Sequence, residues 1–81
     1  MWYVYILLCS NKSLYAGISN DPQKRFQDHK KGNGGKYTRG FKPIKMVYLE
    51  KVPTRSDALK KEALIKGWSR KDKIAILKLK F

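Results

Sequence analysis

The segment Trp2–Cys9 (WYVYILLC) most restricts what this chain can become. It is unbroken in aromatic, β-branched and other apolar residues, which suits a strand. It is too short to span a bilayer, no basic residue precedes it, and it lacks a small-residue cleavage site. It therefore reads as a strand and not as a signal. Ser10-Asn11-Lys12-Ser13 is turn-like, and Leu14 to Ser19 (LYAGIS) reads as a second short strand, so the chain opens with a hairpin.

The rest follows from local punctuation. Asp21 can cap a helix and Pro22 suits its first position; the helix should run to about Lys31, with Gly32 ending it. Gly32 to Pro43 reads as a glycine-rich basic loop, and Ile44 to Val52 as a third strand. Thr54-Arg55-Ser56-Asp57 resembles a capping box opening a helix to about Gly67. Ser69-Arg70-Lys71-Asp72 repeats the device for a last helix that ends near the C-terminus. The order β-β-α-β-α-α predicts one small α/β domain over residues 1–81, with an at least partly antiparallel sheet.

Charge narrows the partners. Nineteen Lys and Arg against six Asp and Glu give a formal charge of +13. Such an excess is a footprint for a polyanion, and nucleic acid is the commonest one. A ribosome-associated protein or a plain solvated basic surface is the bland alternative. No long basic amphipathic helix argues for a membrane partner. Cys9 is the single cysteine, so no internal disulfide forms, which fits a cytoplasmic setting. Its place in an apolar run predicts a buried, inert thiol.

With six carboxylates, each can be weighed. Asp21, Asp57 and Asp72 sit at helix starts, where capping explains them. Asp28 can pair on the surface of the basic helix, and Glu50 reads as an exposed strand residue beside Lys51. Glu62 is out of place: it follows Ala58 by four and Leu59 by three and precedes Ile65 by three, on the apolar stripe of its helix. It is either a metal ligand on a buried face or an edge residue paired with Lys66.

Arg25 and His29, four apart, share a helix face, with Phe26 as a neighbouring anchor. Arg offers a planar fork for phosphate and His can move a proton, although a lone His on a basic helix is often only a surface residue. In the loop, Lys36, Tyr37 and Arg39 can meet phosphates or stack on a base; a merely flexible surface loop is the alternative. Walker spacing, zinc-ligand spacing and a Ser-His-Asp set are all missing.

Together these residues resemble the GIY-YIG nuclease superfamily, specifically its small stand-alone bacterial branch. The motif halves are Tyr3-Val4-Tyr5 and Tyr15-Ala16-Gly17. Arg25, His29 and Glu62 follow in the family's order, and Tyr37-Thr38-Arg39-Gly40 and Lys61-Glu62 look like the stand-alone branch. Tyr3 stands where the family name has Gly, Ala16 replaces the middle residue of the second half, and no Asn follows the glutamate. The resemblance implies a three-stranded antiparallel sheet flanked by helices. It also implies phosphodiester hydrolysis on DNA, ahead of RNA, with one Mg²⁺ or Mn²⁺ ion held by Glu62, and a place in repair or recombination. Arg25 would stabilise phosphate charge, Tyr15 would act as general base, Tyr5 would position it, and His29 would assist proton transfer. Gly17 would permit close backbone approach. Without separate DNA-binding domains, sequence specificity should be weak. A nucleic-acid-binding module that has lost catalysis, on DNA or RNA, is the competing expectation.

Overall fold

The computed structural model describes residues 1–32 and 40–81. Lys36, Tyr37 and Arg39 lie outside the described residues. Three strands, β1 (Trp2–Cys9), β2 (Leu14–Ser19) and β3 (Pro43–Val52), form one antiparallel sheet in the order β2-β1-β3. Among the described residues three helices flank it: α1 (Pro22–Lys30), α2 (Arg55–Lys66) and α3 (Arg70–Leu77). The expected fold is the observed one, with strand and helix ends displaced by about a residue at Pro43 and Lys30.

The apolar run at the N-terminus takes the central position. Val4, Ile6 and Leu7 are fully buried and Tyr5 nearly so, which means β1 is covered on both faces. A strand covered on both faces is apolar at every position instead of alternating. One face meets α2 through the cluster Val4, Ile6, Ala16, Val52, Ala58 and Ile65, with Trp68 and Leu77 packed against its rim. Ala58 and Ile65 are seven apart, two helical turns, so both fall on the inward side of α2. On the opposite face, Tyr5 meets His29 of α1. Cys9 is buried, and burial pushes its thiol upward, as an inert core thiol requires.

The helix starts behave as their sequences predict. Asp21 accepts from the Lys24 amide, Thr54 from Asp57 and Ser69 from Asp72. Gly32 ends α1 at φ +84°, in the left-handed region that glycine enters without a side-chain clash. Along β3, Ile6 faces Tyr48 while Leu7 faces Met46, so Val47 is an extra residue that bends the strand.

Two residues depart from expectation. Glu50 is not simply exposed: it is half-buried, accepts a hydrogen bond from the Tyr48 hydroxyl and pairs with Lys61 of α2 at 3.5 Å. Burial, then the Glu50 bond, push the Tyr48 phenol above its ordinary value. Tyr48 and Glu50 lie two apart and share a strand face, which is the sequence signal for this contact. Leu59, placed on the apolar stripe by spacing, is 38% exposed, so the inward side of α2 is narrower than its periodicity implies.

Candidate active site

The hairpin register builds the site. Tyr5 pairs with Gly17 and Leu7 with Tyr15, so both phenols and the glycine share one face of the sheet. A methyl placed on Gly17 would lie 2.5 Å from Tyr5 Oη and 2.6 Å from its Cζ. The space left by the missing side chain is filled by the Tyr5 ring. The close approach at Gly17 is made within the chain, by the Tyr5 ring.

Helix α1 supplies the next layer. His29 is fully buried, not a surface residue, and its Nε2 is 3.0 Å from the Tyr5 hydroxyl. Its ring meets Tyr15 edge-on at a centroid distance of 5.2 Å and Tyr5 at 6.0 Å. Arg25, one turn earlier, also addresses the Tyr5 phenol as a donor. A guanidinium only donates, so the phenol oxygen is the acceptor in its interaction with Arg25.

Burial dominates the electrostatics. It pushes the Tyr5 phenol up to about 12, against the lowering effect of Arg25. It also lowers the His29 imidazole, helped by Arg25 and opposed by Asp28. Both side chains are neutral at neutral pH.

Helix α2 closes the site from the β2 margin. Glu62 acts electrostatically on Tyr5. Its side chain is 20% exposed, and Lys66 Nζ lies 3.4 Å from Oε2. The same ammonium sits 6.0 Å from the Tyr15 ring centroid. Glu62 stands at the edge of the apolar stripe, paired with Lys66, within electrostatic range of the Tyr5 phenol. Tyr5, Tyr15, Arg25, His29 and Glu62 come together. Sequence reasoning treated Lys66 only as an ion-pair partner and missed its position over Tyr15. The signal was the four-residue spacing from Glu62, which fixes the pair but not what lies beneath it.

The neutral Tyr5–His29 pair predicts a pH dependence. The folded value of His29 lies below its ordinary 6.5, so its contribution to stability is complete above pH 6.5 and is lost as pH falls through the folded value. Tyr5 has the opposite sign: its contribution is complete below pH 10 and lost as pH rises toward 12. Urea midpoints measured across the mildly acidic range should fall below pH 6.5 in the wild type and fall less steeply in His29→Gln. Equal slopes in the two proteins would show that the imidazole is not held neutral.

Comparison with known proteins gives the same assignment. A family model for the GIY-YIG catalytic domain matches residues 1–75. A UPF0213 protein of Syntrophus aciditrophicus (strain SB) is 48% identical over 77 residues, covering 94% of this chain and 88% of that protein. The solution NMR structure of a UPF0213 protein from Bacillus halodurans aligns with TM-score 0.61 at 37% identity, over 96% of this chain and 84% of the other. A second NMR structure, of an E. faecalis protein, aligns with TM-score 0.64 at 43% identity, over 94% and 81%. Nuclease-type activity on nucleic acid is the activity general to GIY-YIG domains, whereas the UPF0213 names specify no activity. With the motif halves paired on one sheet face and the family model spanning nearly the whole chain, this protein belongs to the GIY-YIG catalytic-domain family.

Proposed function

We propose that this chain hydrolyses phosphodiester bonds in DNA with the help of one divalent ion and with little sequence specificity. The observation that carries the reading is two phenols and an imidazole in mutual contact, with a guanidinium and a carboxylate acting on the central Tyr5 phenol, in a chain of charge +13. Binding alone needs cations. It does not need a half-buried carboxylate beside a buried Tyr–His pair.

The residues fit a divalent ion of the Mg²⁺ or Mn²⁺ kind. Lys66 engages Oε2 of Glu62, and a carboxylate has a second oxygen to offer. Among the described residues no cluster of three or more His, Cys, Asp or Glu side chains gathers. One carboxylate, completed by water and substrate phosphate, is how Mg²⁺ is commonly held. When bound, the ion supplies Lewis-acid stabilisation of the departing oxygen.

The chain's own groups divide the remaining work. Arg25 neutralises charge developing on the phosphate. Tyr15, half-buried beside the Lys66 ammonium, is the general base that takes the proton of the attacking water. Tyr5, neutral and held between Arg25 and His29, positions that water and Tyr15. His29 fixes the Tyr5 hydroxyl and thereby assists the proton transfer from water to Tyr15. Lys36, Tyr37 and Arg39 meet the substrate backbone and bases, and a place in repair or recombination suits such weak specificity.

Supercoiled plasmid tests the reading. Nicking is expected with Mg²⁺ or Mn²⁺ and is lost on chelation, while binding at low salt persists. Retained binding with no nicking under any divalent ion would reduce the protein to a nucleic-acid-binding module. Structured RNA competing far better than DNA would move the substrate to RNA.

A further inference from the structure

We infer that Lys66 is a built-in counter-ion of Glu62 that opposes the divalent ion and is released to the substrate phosphate when the ion binds. The inference rests on reading Glu62 as the metal ligand. Its starting point is geometric: one ammonium lies both 3.4 Å from Glu62 Oε2 and over the Tyr15 ring, 6.0 Å from its centroid. Glu followed four residues later by Lys is the favourable helical order for such a pair.

Two cations cannot share one carboxylate without mutual repulsion. Lys66 is 54% exposed and carries a flexible four-carbon stem, so it can leave Glu62 without disturbing the helix. Its other contact, Tyr15, is where the proposed base meets the attacking water. A displaced ammonium therefore remains beside the reacting phosphate. Before the ion arrives, Lys66 neutralises and orders Glu62, and this weakens ion binding. Once nucleic acid is present, phosphate offers Lys66 a second anion, and the ion gains the carboxylate.

Titration of Mn²⁺ alone, at low salt and without nucleic acid, reads this directly. Lys66→Met should bind Mn²⁺ roughly three- to tenfold more tightly than the wild type, the size expected for removing one solvent-screened charge next to the site. Lys66→Arg keeps the charge and should bind as the wild type does. Lys60→Met removes an exposed charge two residues from Glu62, on another side of α2, and should change nothing. Unchanged or weaker Mn²⁺ binding in Lys66→Met overturns the inference, as does an equal gain in Lys60→Met, which would make the effect one of net charge. Glu62→Gln should lose Mn²⁺ binding. Wild-type affinity in that variant would instead show that the ion is not held at Glu62, which is a failure of the underlying reading.

Discussion

Replacing Glu62 with alanine should cut plasmid nicking by about 10³-fold or more and leave the fold in place. A bound divalent ion contributes several kcal/mol of transition-state stabilisation, and each 1.36 kcal/mol is a factor of ten in rate. The carboxylate that would hold it contributes little to folding. Its ion partner, Lys66, is 54% exposed, and a solvated i,i+4 pair is worth well under about 1 kcal/mol. The variant should therefore melt within a few degrees of the wild type and bind DNA at least as well, because an anion near the phosphates is gone. Nicking rate, thermal melting and DNA binding measured on one preparation separate these effects. Equal nicking by the two proteins would mean a contaminating nuclease or chemistry that does not pass through Glu62.

The second large effect is at Gly17, where stability and chemistry should fail together. Alanine there puts a methyl 2.5 Å from the Tyr5 hydroxyl, well inside contact distance, and that ring is only 2% exposed. The ring must shift or the hairpin must open. Overpacking of this kind costs about 1–3 kcal/mol. Pulling the phenol from His29 leaves buried polar groups unpaired, at about 1–3 kcal/mol more. Against a stability of about 5–15 kcal/mol, this is a large fraction. Nicking should fall by about 10²-fold, because a misplacement near 1 Å at a reacting centre has that effect. Gly40→Ala is the matched control, since among the described residues a methyl there meets nothing within 4 Å. Tyr5→Phe combined with Gly17→Ala should cost less than the two separate losses added, because both break the same Tyr5–His29 bond. A Gly17→Ala protein that melts like the wild type would remove the steric argument.

Features set by a few adjacent residues were legible in the sequence. Asp21, Thr54 and Ser69 cap helices as expected because a cap needs only its own side chain and an amide three residues on. The unbroken apolar run of β1 was readable as a strand because its composition is local. The candidate site was legible as a set of residue types in order. It was not legible as geometry. His29 could be read from sequence as a solvated residue, yet the hairpin buries it completely against a tyrosine 24 residues away. Glu50 read as exposed because Lys61, which reaches it from α2, lies eleven positions on.

The division has one physical cause. Capping, turn chemistry and the apolar periods depend on neighbours within about one helical turn or two strand positions, so the residues themselves determined β-β-α-β-α-α, while Tyr5, Tyr15, Arg25, His29 and Glu62 were grouped by their resemblance to a family's ordered motif. Burial and electrostatics depend on what is brought near through space. Only the tertiary structure decided that β1 is central, that the Tyr5 ring occupies the space over Gly17, and that His29 is a buried neutral partner of that ring. It also decided that Lys66 spans Glu62 and Tyr15. Desolvation and packing act over distance in space, and they turn a list of polar residues into a site with assigned charges.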